Sequence, residues 1–276
     1  MYNFKKEKIL KKVIFIFIFM SKLISASDTT VHYDIDFSVA GTIAKATIQR
    51  VEENGNYVIT LQAHTIGVAS KLTKNRRESY ISQGSIVGSE LITDVLVVIR
   101  ATNDKEKYIV YKFDHKNKAV QKDTSETKQV VTKRMDVINM CMVETVKEEF
   151  SYDSEQNDYY AENDIVSLFF NSRYYLSSMN AGEMKKLRAV GIKTDEGELL
   201  ISTPLREVNI GNNGQKKLPQ HELFNVAINK DYFTSGKGEL NVRLDPDGFP
   251  AKVTMNDVAL FGDIVGIRRY DEVVFK

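Results

Sequence analysis

The residue types able to carry acid–base, nucleophilic or metal chemistry are few and scattered in this chain. His32, His64, His115 and His221 lie far apart, and none belongs to an H-E-x-x-H or similar spacing, so no general base or metal site is marked by pattern. Asp34 and Asp36 share one face of an alternating segment, as a carboxylate pair would, but the same alternation assigns both to a solvated polar face. Cys141, within Met140-Cys141-Met142, would act as a nucleophile only beside a histidine or cation that lowers its pKa; on the flank of a helix it reads as a structural thiol. No G-x-S-x-G elbow, phosphate loop or dinucleotide fingerprint is present. Asp245-Pro246-Asp247-Gly248 lacks the further oxygen ligands and closing glutamate of a calcium loop and reads as a type I turn. One cysteine and four histidines build neither a disulfide nor a closed zinc site. No catalytic set, metal or cofactor is expected.

What remains is apolar surface. Tyr33, Phe37, Phe113, Phe169 and Phe170 either pack a core or line a hollow, and the candidate lining set is Tyr33, Ile35, Phe37, Ile59, Leu61, Phe113 and Phe169. The basic stretches Lys71 to Arg77 (KLTKNRR) and Lys185 to Arg188 (KKLR) offer phosphate or lipid headgroups a contact, yet neighbouring acids answer each, so both read as ordinary charged surface. With 38 basic and 37 acidic side chains in 276 residues, nucleic acid has no electrostatic case.

These side chains must be positioned mainly by strands. From His32 the chain alternates with period two, placing Tyr33, Ile35, Phe37 and Val39 on one side. Thr42 to Val51 and Tyr57 to His64 flank Asn54-Gly55, whose residue types supply the positive φ angles of a hairpin turn; Tyr57, Ile59, Leu61 and Ala63 form the apolar face of the second arm. Further strand patterns occur at Arg77 to Ser82, Ser85 to Val87, Asp94 to Arg100, Lys107 to Asp114, Glu183 to Ile192, Glu198 to Val208, His221 to Ile228 and Glu239 to Leu244, with a closing pair at Ala251 to Met255 and Val258 to Ile267. Short turns without alternating helices imply an antiparallel sheet. In the centre, Met135, Ile138, Met142 and Val146 fall at helical spacing, which predicts a helix from about Lys133 to Glu149, followed by an acidic loop from Tyr152 to Asn163. A second helix starts with Asn163 or Asp164 as its cap, turns Ile165, Leu168, Phe169 and Leu176 inward, and ends by Ala181-Gly182.

Residues 1 to 26 read as a secretion signal. Lys5, Lys6, Lys8, Lys11 and Lys12 precede the apolar run Val13 to Met20, which is too short for the roughly 20 residues of a spanning helix, and Ala26 offers a cleavage point. Removing this segment leaves 32 basic and 36 acidic residues, a mildly acidic body. The expected organisation is therefore a signal over 1–26 and a single domain over 27–276, with a helical and acidic insertion at about 124–182.

Several segments together resemble an uncharacterised exported bacterial family, the domain of unknown function 3108. They are Tyr33 to Phe37, Ile43 to Ile48, Tyr57 to Leu72, Ser79 to Gly84, Asp164 to Phe170, Gly248-Phe249-Pro250 and Val258 to Gly262. Ala44 stands where the family usually has glycine, and the region from about Thr124 to Asn163 is expanded. The resemblance implies a periplasmic location and a mainly β fold: a strongly curved antiparallel sheet or open β-barrel, similar to lipoprotein carriers, with about two helices. It implies no catalytic residues. Such a shape leaves an interior lined by alternate residues, so the expected function is a non-enzymatic binding or carrier module for an apolar or envelope-derived ligand such as a lipid. The alternatives are an envelope adaptor that binds a protein through its acidic centre or a strand edge, and an envelope hydrolase. Oligomeric state is not legible.

Overall fold

The alternating pattern produces strands along nearly the whole chain. The computed structural model describes residues 27–136, 141–177, 179–180, 182–192, 195–202, 223–228, 239–256 and 262–270. Its strands are β1 (Ser27–Phe37), β2 (Gly41–Glu53), β3 (Asn56–Thr65), β4 (Arg77–Val87), β5 (Glu90–Ala101), β6 (Lys105–Asp114), β7 (Ala119–Asp136) and β8 (Cys141–Gln156). They continue with β9 (Met184–Arg188), β10 (Glu198–Ser202), β11 (Leu223–Ile228), β12 (Glu239–Leu244), β13 (Pro250–Met255) and β14 (Ile264–Arg269). Two helices are described, α1 (Gly67–Leu72) and α2 (Ile165–Ser177). No described helix is long and apolar enough to cross a membrane. The expected signal over 1–26 and the strand patterns at 203–208, 221–222 and 258–261 lie outside the described residues.

All fourteen described strands form one antiparallel sheet in the order β8-β7-β6-β5-β4-β3-β2-β1-β14-β13-β12-β11-β10-β9. The sheet is strongly curved and not closed, as the fold expectation has it. Asn54 and Gly55 both have positive φ, 51° and 73°, which gives the hairpin twist that the Asn-Gly pair encodes. A bulge between Gln83 and Gly84, where β4 meets β5, changes the parity of β5. Leu91 and Thr93 on one side of it, and Leu96 and Val98 on the other, are thereby all buried.

The trough formed by the sheet holds α2. One face of this helix, through Val166 and Phe170, packs with Tyr57, Ile59, Leu96 and Val98; another, through Leu168 and Leu176, packs with Leu199, Ile201, Val242 and Leu244. Asp164 caps the helix as its residue type suggests, with Oδ1 accepting from the N–H groups of Val166 (2.5 Å) and Ser167 (3.0 Å). Its Oδ2 accepts from Ser82 Oγ (2.5 Å) and Thr93 Oγ1 (2.8 Å), while Tyr57 Oη lies 3.1 Å from both hydroxyls. Asn171, two turns on, donates to the Leu91 carbonyl (2.8 Å) and accepts from the Leu91 N–H (2.9 Å).

The predicted helix at Lys133 to Glu149 is not there, so the insertion at 124–182 is not mainly helical. The described residues of this stretch belong to β7 and β8, a long antiparallel pair whose strands reach Asp136 and Cys141; residues 137–140, Ile138 among them, lie outside the described residues. A spacing of four suits both periods, because an even step keeps a residue on one face of a strand. Val131 pairs with Val146 and Met135 with Met142, and salt bridges cross the ribbon at Lys122–Glu155, Lys128–Glu149 and Lys133–Glu144. The acidic segment expected as a loop from Tyr152 continues β8 to Gln156, and Cys141 opens a strand instead of flanking a helix.

Asp164 is fully buried, and burial pushes its carboxyl above the ordinary range against the lowering effect of its hydrogen bonds from Ser82, Ser167, Thr93 and Val166. We expect Asp164→Ala to cost about 3 kcal/mol in urea unfolding, since it removes a cap and strands buried hydroxyl and amide groups. A raised carboxyl contributes stability that is full below its unfolded value, about 4, and is lost as pH rises through its folded value. Asp164→Asn, with no proton to lose, should therefore lack the decline in stability above about pH 4 that this group gives the parent; identical pH profiles would refute the coupling.

Candidate functional site

Strand register fixes where the helix stops and the hollow begins. The contacts of α2 gather at one end of the trough, with Tyr175 Oη donating to Glu90 (2.6 Å) and Arg173 to the Pro246 carbonyl (2.5 Å). At the other end Phe37 pairs with Ile264, Ile264 with Met255, and Met255 with Leu240. Between these levels lies a partly open cavity of about 280 Å³. β1 supplies Tyr33 and Ile35, β2 Ala46 and Ile48, β3 Leu61 and α2 Phe169; β12 to β14 complete the wall with Leu240, Pro250, Val253, Met255, Ile264 and Gly266.

Of the lining residues read from sequence, the structure brings Tyr33, Ile35, Leu61 and Phe169 together here. Ile59 points to the same side of β3 but is covered completely by the core beneath the helix. Phe113 is a correction of the same kind, because it packs against that core and stacks on His115 at 6.0 Å between centroids. Phe37, half-buried at the end of β1, stands beyond the lining residues. The wall formed by β12 to β14 was missed. Val253 with Met255, and Ile264 with Gly266, obey the two-residue period, but pairing of β14 to β1 is what brings them to Tyr33 and Ile35.

The wall is apolar, and Tyr33 is its exception. Its hydroxyl is buried and has no hydrogen-bond partner among the described residues. Burial drives the phenol well above its ordinary pKa, opposed by the positive charge of Arg268, its register partner on β14. Arg268 is itself engaged, bridged to Asp245 and Asp247 at 2.7 Å each and lying over the rings of Phe249 and Tyr270. The turn bearing those acids closes as expected, with the Gly248 N–H donating to the Asp245 carbonyl at 2.9 Å.

The other candidates fall elsewhere. Asp36 accepts from Thr42 Oγ1 (2.7 Å) and Asp34 faces Arg269 (3.5 Å), so the two aspartates do not form a pair. His32 Nδ1 lies 3.1 Å from Thr47 Oγ1 on exposed surface, His64 is exposed, and His221 lies outside the described residues. His115 does meet a hydroxyl and a carboxylate. Its Nε2 donates to the Thr93 carbonyl (2.8 Å) with Asp94 at 3.7 Å, and its Nδ1 lies 2.8 Å from Tyr160 Oη. Burial raises the Tyr160 phenol, with the charges of Glu162 and Asp114 acting in the same direction. That shift is the reverse of nucleophile activation, and the cluster ties the segment before α2 to the sheet. No family model, curated protein or solved structure matches this chain.

Tyr33→Phe removes a buried hydroxyl without breaking a described hydrogen bond. We expect it to leave stability unchanged or raise it by about 1 kcal/mol in urea unfolding; a loss of that size would reveal a partner for the hydroxyl.

Proposed function

We propose that this chain is a non-enzymatic binding or carrier module that holds an uncharged apolar group in the cavity between β1–β3 and β12–β14. The observation that supports it is the hollow itself. α2 fills the interior at one end, while at the other the inward side chains face about 280 Å³ that they do not occupy. An apolar cavity of about 150 Å³ accepts benzene, so this one has room for roughly a bicyclic ring or a short branched acyl segment. Arg268 is the cation beside the wall and is neutralised by two aspartates, which favours an uncharged occupant over an anionic one. The reading includes export to the periplasm, as the N-terminal segment and the family resemblance suggest, and a lipid or other envelope component as the natural ligand.

Gly266 makes a direct test possible. It lines the cavity, its φ is not positive, and a Cβ built there meets nothing nearer than Val253 O at 3.9 Å. Gly266→Leu should keep the folded far-ultraviolet spectrum, place its side chain in the hollow, and weaken uptake of the fluorescent probe N-phenyl-1-naphthylamine by at least about tenfold. Unchanged uptake would remove the basis of the proposal. Export has its own check: N-terminal sequencing of the protein from its native cell should begin near Ser27, and an intact Met1 would count against it.

A further inference from the structure

Of the described side chains that line the cavity, that of Tyr33 is the one able to donate a hydrogen bond. The residue is 6% exposed, and its hydroxyl meets no donor or acceptor among the described residues. Other phenols of the interior are served. Tyr57 Oη lies 3.1 Å from Ser82 Oγ and Thr93 Oγ1, Tyr159 Oη donates to the Ala189 carbonyl at 3.2 Å, and Tyr175 Oη donates to Glu90 at 2.6 Å. Charged groups act on Tyr33 through space but are bound to one another: Arg268 to Asp245 and Asp247, and Tyr270 Oη to Asp245 at 2.7 Å. A buried hydroxyl without a partner costs stability, and such groups are rare enough in folded proteins that each needs a reason. Here the reason is a partner that arrives with the guest.

The surroundings define that partner. A water held in place needs roughly two to four polar contacts, and the lining side chains offer one. A carboxylate would lose its hydration to an apolar wall for one hydrogen bond, with the charge of Arg268 already committed. A phenol donates better than it accepts, because its ring draws on the oxygen lone pair, and burial holds the Tyr33 proton in place. What fits is an uncharged acceptor, a carbonyl or ether oxygen, on an otherwise apolar body. Register sets its position. Tyr33 stands opposite Ala46 on β2 and Arg268 on β14, one step nearer the Asp245 turn and α2 than Ile35, which stands opposite Gly266. The oxygen therefore lies toward the helix, and the apolar remainder runs past Ile35 and Gly266 toward Ile264 and Met255.

We propose that Tyr33 selects guests bearing one uncharged oxygen acceptor, which its hydroxyl holds at the helix end of the cavity; this specificity rests on the carrier reading above. A matched pair of probes tests it. 2-Acetylnaphthalene and 2-ethylnaphthalene differ by a carbonyl in place of a methylene, and each can be titrated against N-phenyl-1-naphthylamine bound to the full chain. The ratio of their half-displacement concentrations measures what the oxygen contributes. Tyr33→Phe should shift that ratio about tenfold toward the hydrocarbon, while Ile35→Val, which alters the wall without touching the hydroxyl, should move both concentrations together. The carbonyl stretch, isolated as the infrared difference between isotopically labelled and unlabelled ketone, should lie lower in the parent complex than in Tyr33→Phe. A ratio unchanged in Tyr33→Phe, a shift as large in Ile35→Val, or equal carbonyl frequencies would overturn the proposal. The two readings fail differently. If neither naphthalene displaces the probe, the carrier reading falls and takes this specificity with it; if both displace it without regard to Tyr33, the specificity alone is lost.

Discussion

One buried carboxylate holds this architecture together. Asp164 ends the segment that leaves β8, caps the helix that follows, and accepts hydroxyl hydrogens from β4 and β5. A charge or proton so far from water needs every one of those partners, so the helix has one place to sit on the sheet. Because that place is at the Glu90 and Pro246 end, the interior is packed there and hollow at the other. The cavity follows from where the plug is fixed more than from any single residue lining it.

Much of this was legible in the chain. The period-two runs, the Asn54-Gly55 turn and the capping role of Asp164 depend on local chemistry that a neighbouring residue can reveal. The β7–β8 ribbon was misread because Met135, Met142 and Val146 are consistent with either period, and what decides is the partner strand. Lys133 facing Glu144 and Lys128 facing Glu149 are visible only once the pairing is known. The cavity was half legible. Tyr33, Ile35, Leu61 and Phe169 announce themselves as inward apolar residues, but whether such a residue lines space or fills it depends on what stands opposite. Ile59 and Leu61 are two residues apart on one face, and only the second meets the hollow. Gly266 and Ala46 leave room because they are small, and smallness carries no period.

An open sheet of this width must also manage its two edges. β9 is only five residues long, and β8 is lined with acids that repel a like strand. The same acids, bound across the ribbon by lysines of β7, let two strands run past the sheet where no third described strand supports them. Negative charge thus serves pairing within the molecule and discourages it between molecules.

The amide of Asn171 imitates a strand residue, giving and taking one hydrogen bond at Leu91 as a β neighbour would. A helix free to slide could advance by a turn, about 5.4 Å, and exchange one set of apolar contacts for another. This one would have to break both of those bonds at once. The extent of the hollow is therefore set by a latch at the opposite extremity of the molecule, one that takes no part in lining it.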